Sequence, residues 1–398
     1  MAKVRSASPD SASDPVGGVL FFEDGSIFYG EGFGAPTRAV GEVVFTTGMA
    51  GYPESITDPS YRGQILLFTY PLQGNYGVPA ADRKDAWGFP LGMESGEVQP
   101  RAVIARSLTA PHHWTSGRSL SDWLRSAGVP GIAGLDTRAI TERLRAQGVQ
   151  RGVVAVGKDL PSPDALRKIL EQAPQYHEED FVRQVAPRKP ALVRAPRTTP
   201  APGGAGGRPP LVAVMDVGCK ASILRNLLAR GADVLRSPPG MALPERWEGR
   251  RVDGYLISNG PGDPGGLSDA ITMVKERPRD RPTFGICLGH QLLALSAGAS
   301  TYKMKYGHRG QNKPLLFRQP AGRAYIVSEN HGYAVDRSSL KGTGLAEWAY
   351  NPDDGTVEGF RDHRGLVLGV QGHPEGAPGP HDAEFLFDTF LDKVRRRA

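Results

Sequence analysis

Cys287 lies in the run Gly285-Ile286-Cys287-Leu288-Gly289, between a short apolar segment and one of helical pattern. That is the strand–turn–helix setting of a nucleophile elbow, with cysteine in place of serine. The flanking glycines let the backbone pass through a turn that a Cβ would block. A helix N-terminus at the sulfur favours the thiolate form of a cysteine. A lone cysteine is more often a buried core thiol, but the glycine frame in this context reverses that expectation. A cysteine nucleophile needs a base, and the base needs an orienting partner. His373 and Glu375 flank a stiffening proline in Gly372-His373-Pro374-Glu375, just past an apolar run at 366–370. Acyl transfer also needs donors for a developing oxyanion. The backbone N–H of Leu288 is one candidate, and the loop Asn259-Gly260-Pro261-Gly262-Asp263-Pro264 offers another. Separately, the histidine would read as a solvated loop residue, the glutamate as a helix-start acid and the loop as an ordinary turn. What favours chemistry is that all of them follow strand-like runs.

The elements around these residues alternate. Residues 211–215, 253–257, Thr283–Ile286 and 366–370 read as strands, with further strands near 325–328 and 357–361. Residues 222–230, 270–275, 288–297 and 383–394 read as helices. Such alternation predicts an open, mostly parallel sheet with helices on both faces, an α/β fold. Ligands of such sheets bind beyond the carboxyl ends of the strands, where Cys287, His373 and the 259–264 loop fall. The N-terminal half reads differently. Two alternating runs flank Asp24-Gly25, a hairpin signal, and strands are expected at 42–45, 65–70, 102–106 and 152–156. Helices are expected at 121–127 and Thr137–Gln147, the latter stopped by Gly148. This half is a mixed β/α unit, and no GxxxxGK[ST] phosphate loop occurs anywhere in the chain.

Length and composition bound the rest. At roughly 100–200 residues per domain, 398 residues favour two. A hydrophobic fraction of 39% supplies packed cores. The proline- and glycine-rich stretch 186–210 contains no acid and reads as a linker. The expected organisation is a flexible segment 1–17, an N-terminal domain 18–185, the linker 186–210 and a C-terminal domain 211–398. No run is long enough for a transmembrane helix, and the N-terminus has no secretory apolar core. Two cysteines exclude a disulfide framework and point to the reducing cytoplasm. The net charge of +6 invites a nucleic-acid reading. However, the five basic residues of 186–210 and the four of the tail 393–397 exceed the total, so the remainder is mildly acidic and no nucleic-acid groove is expected.

GICLGHQ, SNGPGDP and QGHPE together resemble the class I (triad) glutamine amidotransferases, in family order across the C-terminal half. Upstream, GMAGYPESITDPSYRGQILLFTYPLQGNYG and GLDTRAITERLRAQG resemble the N-terminal domain of the carbamoyl-phosphate synthase small-chain family. GHRGQNKP and NHGYAV resemble the same family. The resemblance spans about residues 18–395, apart from the linker. It implies hydrolysis of L-glutamine to glutamate and ammonia, and passage of the ammonia to a separate large chain. That chain makes carbamoyl phosphate from bicarbonate and two ATP, for arginine or pyrimidine synthesis. Cys287 would be the nucleophile, His373 the acid and base, and Glu375 its orienting group. Gly260 and Leu288 would supply oxyanion N–H groups. Gly262, Gln291, Asn330, Gly332 and Tyr333 match substrate-holding positions, with His331 beside them. No cofactor is implied for this chain, whereas ATP and magnesium are implied on the large chain, a heterodimeric partner. Family members commonly carry serine where this chain has Gly48, so a side-chain hydrogen bond to glutamine is missing there while a backbone contact is retained. The linker is also longer than the family pattern.

Two other functions fit the residues less well. An amidotransferase of another pathway, such as guanylate or anthranilate synthesis, would lack this N-terminal region or carry a synthase module with its own nucleotide motif. A non-catalytic binding protein would have lost one of Cys287, His373 and Glu375. Cys219 and His290 read as structural, as do His308 and Arg309. The histidines and cysteines show no metal-ligand spacing, so no metal site is expected.

Overall fold

The computed structural model describes residues 16–80, 82–196, 208–318 and 322–397. Seven strands close into a barrel in the N-terminal half: β1 (Gly17–Phe22), β2 (Ile27–Gly34), β3 (Arg38–Thr46), β4 (Gln64–Phe68), β5 (Ala102–Ile104), β6 (Pro130–Ala133) and β7 (Gln150–Gly157). Their order around the barrel is β1-β2-β6-β5-β4-β3-β7, and the β1–β7 pairing seals it. The Asp24-Gly25 hairpin is present, with Gly25 at φ 88 where only glycine sits without strain. The helix expected at 121–127 runs Leu120–Ser126, capped by the Ser119 hydroxyl, and Thr137–Gln147 is helical as expected. Closure removes sheet edges, and alternate residues of β4 fill two cores, Leu66 and Phe68 in one and Ile65 and Leu67 in the other.

The C-terminal half is built on a ten-stranded sheet. Its members are β8 (Ala191–Val193), β9 (Leu211–Met215), β10 (Asp233–Ser237), β11 (Gly254–Ile257), β12 (Thr283–Ile286), β13 (Thr301–Phe317), β14 (Ala324–Val335), β15 (Leu345–Tyr350), β16 (Val357–Asp362) and β17 (Val367–Val370). The order is β8-β10-β9-β11-β12-β17-β16-β15-β13-β14. The five strands β10, β9, β11, β12 and β17 are parallel, while β16, β15, β13 and β14 extend the sheet as antiparallel neighbours. Helices cover both faces, as the alternation predicts. Val212 and Val214 of β9 pack with helices Ala221–Ala229 and Phe385–Arg395. Leu211, Ala213 and Met215 of the same strand point the other way, onto helices Ser268–Glu276 and Leu288–Ser296. A parallel strand buried on both faces must be apolar throughout, which is why LVAVM carries no polar residue.

Two expected boundaries need correction. The N-terminal segment expected at 1–17 ends sooner: β1 begins at Gly17 and Val16 already accepts a hydrogen bond from Gly32 N–H; residues 1–15 lie outside the described residues. The linker was placed at 186–210, yet Ala191–Val193 within it pairs antiparallel with β10 as the edge strand, and the Ala195 N–H donates to Asp233 Oδ1 at 3.0 Å. Proline tolerates a sheet edge, where N–H groups need no partner, so a proline-rich composition did not preclude a strand there. Residues 197–207 lie outside the described residues. No helix among the described residues is long and apolar enough to cross a membrane.

Candidate active site

Cys287 follows β12 and caps the helix Leu288–Ser296 with φ 54 and ψ −107. A non-glycine residue at positive φ stores of order 1–3 kcal/mol and persists only where its surroundings enforce it. Here they do: Cys287 N–H donates to Val370 of the neighbouring β17 at 2.9 Å, and its carbonyl accepts from Gln291 N–H at 3.2 Å. The flanking glycines are obligatory. A Cβ on Gly289 would lie 2.0 Å from the Ile257 carbonyl oxygen, and one on Gly285 would meet Leu293 at 2.5 Å and the Gly289 carbonyl oxygen at 2.6 Å. The elbow therefore packs backbone to backbone against the strand beside it. Leu288, at the first helical position, has no intrahelical acceptor for its N–H.

His373 and Glu375 are buried behind the sulfur. His373 Nδ1 and Glu375 Oε1 are 2.6 Å apart, the ring donating to the carboxylate. The His373 N–H is tied to the Ser328 carbonyl at 2.8 Å, which fixes the loop after β17 against β14. Burial opposes charge on the imidazole, but the Glu375 carboxylate and the Cys287 sulfur outweigh it and push its pKa up to about 10. The outer nitrogen, Nε2, makes no hydrogen bond of good geometry. It is poised beside the sulfur, as apo acid–base pairs commonly are before substrate closes them. The same Glu375 Oε1 accepts from Lys220 Nζ at 2.8 Å, both side chains being buried. Burial pushes the Glu375 carboxyl up, and Lys220 and His373 together pull it down to about 2. Lys220 is itself kept charged against burial by Glu375, Glu94 and Asp58. The triad is thus a buried chain of alternating charge, and Lys220 is its fourth member. No pattern in the sequence signals Lys220, which sits 155 residues from Glu375 and meets it only through the sheet.

A cleft of about 520 Å³, counted with the solvent in its open mouth, is lined by Cys287, whose side chain is itself buried. Of the residues expected to hold substrate, Gly260, Gly262, Leu288, Gln291, Asn330, His331, Gly332 and Tyr333 line it together with Cys287. Gly260 is forced to be glycine, since a Cβ would lie 2.1 Å from the Val217 carbonyl oxygen; Gly262 adopts φ 97. Gln291 spends its amide N–H groups on Tyr333 O at 2.7 Å and Gln371 Oε1 at 3.0 Å, leaving its carbonyl to accept from a ligand. The Asn330 carbonyl faces the sulfur at 3.8 Å, while its amide donates to Asp58 Oδ2 at 2.9 Å. Asp58 comes from the N-terminal half, so the barrel helps to shape the cleft. Glu42, Tyr176 and Arg309 also line it. None of these three was expected there, and Arg309, read as a structural loop residue, lies on β13.

Gly48 and His331 stand apart from the other expected residues. Gly48 is not among the residues lining the cleft. Its N–H is held by Thr46 Oγ1 at 3.2 Å, and a Cβ would meet Gln311 Nε2 at 2.8 Å. Gln311, whose Nε2 donates to Ala50 O, is the flexible side chain that would have to give way to a side chain at position 48. His331 reaches the cleft wall, but its ring nitrogens face Tyr333 O and Glu329, away from a ligand. His290 is a packing residue, as expected: its ring stacks on Phe360 with centroids 4.4 Å apart, and burial lowers its pKa to about 3. Cys219 is buried, and burial together with the nearby Asp216 raises its pKa well above the usual thiol range.

Known proteins match along nearly the whole chain. The family model described as "Carbamoyl-phosphate synthase small chain, CPSase domain" matches residues 20–154, and "Glutamine amidotransferase class-I" matches residues 213–393. The carbamoyl phosphate synthase small chain of Pyrococcus furiosus is 42% identical over 383 residues, 96% of this chain and 98% of that protein. The small chain of Symbiobacterium thermophilum is 45% identical over 381 residues, 94% and 98% respectively. The carbamoyl phosphate synthase pyrimidine-specific small chain of Lactiplantibacillus plantarum is 43% identical over 375 residues, 94% of each.

Proposed function

The chain belongs to the carbamoyl-phosphate synthase small-chain family, and from that premise we propose how its residues divide the work of a glutaminase. The subunit hydrolyses L-glutamine and serves a carbamoyl-phosphate synthase, whose large chain is its partner. Cys287 attacks the side-chain amide carbon of glutamine with its proton already resident on His373 Nε2, the ring being charged below about pH 10. The oxyanion that forms is met by the Leu288 and Gly260 N–H groups. His373 then protonates the leaving nitrogen, ammonia departs, and a γ-glutamyl thioester remains on Cys287. A water molecule, deprotonated by the now neutral His373, attacks the thioester and frees glutamate and the thiol. Glu375 holds the imidazole in the tautomer with Nδ1–H, and Lys220 holds Glu375.

The observation that carries this reading is the strained Cys287 backbone at a helix start, with its sulfur beside an imidazole whose other nitrogen is fixed by a buried carboxylate. Cys287→Ser tests it. Glutamine-dependent synthesis by the assembled enzyme should fall by at least about 10³-fold, while synthesis from ammonia continues. Glutaminase activity surviving in that variant would remove Cys287 from its role.

The finer assembly is also proposed: a heterodimer whose docking surface lies on the barrel half. Among the described residues, five of the seven exposed large apolar side chains belong to that half, and Trp114 is 86% exposed. Aromatic residues such as tryptophan and tyrosine are enriched at the cores of protein interfaces. Trp114→Asp with Tyr70→Asp should cut co-purification with the large chain at least about tenfold while leaving the circular dichroism unchanged. Undiminished capture would move the interface elsewhere. The two free, buried thiols support a reducing, cytoplasmic setting.

A further inference from the structure

Four side chains outside the triad converge behind the cleft wall. His308 on β13 faces His331 on β14 across an antiparallel pair. Glu329 lies two residues before His331, and Glu358 reaches in from β16. All four are buried, between 0 and 6% exposed, and one donor atom from each falls within 4.8 Å of the others. Because they come from three strands, no spacing in the sequence marks them.

The outer hydrogen bonds decide what the inner atoms can be. His331 Nδ1 faces the Tyr333 carbonyl at 2.8 Å, and a carbonyl only accepts, so Nδ1 carries the proton. His308 Nε2 faces Asp354 Oδ2 at 2.9 Å and likewise donates. Asp354 is in turn held by the Thr356 N–H and hydroxyl. The remaining nitrogen of each ring faces inward, and both approach the same atom, Glu329 Oε2, at 2.8 Å for His308 Nδ1 and 3.3 Å for His331 Nε2. Glu358 Oε1 lies 4.0 Å from His308 Nδ1 and accepts from Thr356 Oγ1 at 3.0 Å. Glu329 Oε1, Glu358 Oε2 and His308 Nδ1 have no hydrogen bond of good geometry. Ring nitrogens crowded on a buried carboxylate, with orphaned oxygens beside them, need a proton or a cation among them, and four donor atoms converging on one point favour the cation.

We propose that His308, Glu329, His331 and Glu358 bind a divalent metal ion of the zinc class as a closed, structural site. Two imidazoles and two carboxylates suit zinc or its first-row neighbours. Zinc bonds of about 2.0–2.1 Å at tetrahedral angles set neighbouring donors about 3.4 Å apart. The 2.8, 3.3 and 4.0 Å separations bracket that value. Each histidine donates its outer N–H to a carbonyl or carboxylate, the arrangement that orients metal-bound imidazoles. The ion would clamp β13, β14 and β16 behind Asn330, Gly332 and Tyr333, and so brace the cleft wall.

The test uses the purified full-length chain, stripped with chelator and then given Zn²⁺ or Co²⁺ alone. Wild type should take up about one ion per chain, and its Tm should rise by about 5 °C, as expected when an ion is present at ~100 times its Kd. Bound Co²⁺ should show tetrahedral ligand-field bands without a sulfur-to-cobalt charge-transfer band. Asp354→Asn, which touches only the outer hydrogen bond, should weaken binding about 10–100-fold. His308→Ala and Glu358→Gln should abolish it, and Cys287→Ser should leave it intact. A wild-type chain that binds neither ion and shows no Tm shift overturns the proposal and leaves the cluster as a proton-sharing network. Binding that vanishes in Cys287→Ser but survives Glu358→Gln also overturns it, by placing the ion on the nucleophile. Should His308→Ala fail to fold, the wild-type and Asp354→Asn arms decide.

Discussion

One carboxylate oxygen organises the triad. Glu375 Oε1 accepts from both His373 and Lys220, and its charge is the largest influence raising the imidazole pKa to about 10. Departing ammonia needs the ring proton. The alkaline limb of kcat/KM should therefore lie near pH 10 in the wild type. Glu375→Gln removes the negative charge, so the limb should move toward the ordinary histidine value of about 6.5 and kcat should fall about 10²–10⁴-fold. A pH–rate profile in which the limb stays in place would assign the raised pKa to something other than Glu375. The same proton also links to stability. His373 has its folded pKa above the unfolded one, so its contribution is complete below about pH 6.5 and is lost as pH rises toward 10. His290 is the reverse: buried neutral with its pKa lowered to about 3, it contributes above about pH 6.5 and is lost on acidification.

The elbow is a property of strands and helix together. Gly285 and Gly289 bring the nucleophile helix down onto β11 and β12 so closely that no side-chain carbon fits. Gly289→Ala places a methyl 2.0 Å from the Ile257 carbonyl, against backbone that has nowhere to move. Overpacking usually costs about 1–3 kcal/mol, and the backbone obstacle puts this case at the upper end. Thermal or urea unfolding should register that loss, and kcat should drop because the shifted helix carries Leu288 N–H away from the oxyanion. Gly289→Ala with wild-type stability would mean that the packing at the elbow is looser than these distances imply. The β13–β14 ribbon is the second decisive element. Its bulges, between Lys303 and His308 and between Gly310 and Lys313, turn Asn330 and Tyr333 to the cleft while His308 and His331 face the cluster behind it.

Across the whole molecule, the two halves complete one site. Asp58 of the barrel half holds the Asn330 amide, and Ser60 Oγ accepts from Asn259 Nδ2 at 3.0 Å. Glu94 accepts from the Ser222 N–H and hydroxyl at the start of helix Ala221–Ala229; burial raises its carboxyl pKa to about 7. Arg309 O accepts from Thr47 N–H, and Lys303 pairs with Glu42. Asp58→Ala leaves the buried Asn330 amide unsatisfied, which costs about 1–3 kcal/mol. Because Asn330 lines the cleft, KM for glutamine should rise about tenfold or more, with a smaller change in kcat. An unaltered KM would separate the barrel from the site.

The candidate site was legible in the sequence wherever its residues are neighbours in the chain. Gly285 to Gly289 form one turn, and His373 to Glu375 form one loop, so local backbone geometry determines them. Alternating apolar runs likewise determined the parallel core, because a strand buried on both faces must be apolar throughout. Barrel closure, the antiparallel extension of the sheet and the Ala191–Val193 edge strand were not legible. Each depends on which distant strand supplies the hydrogen bonds, and composition carries no record of that. For the same reason only tertiary structure brought Lys220 to Glu375, Asp58 to Asn330, and His308 and Glu358 to the Glu329–His331 pair. Their partners lie tens to hundreds of residues away in the chain, and only the folded sheet turns that separation into contacts of about 3 Å, the length of an ordinary hydrogen bond.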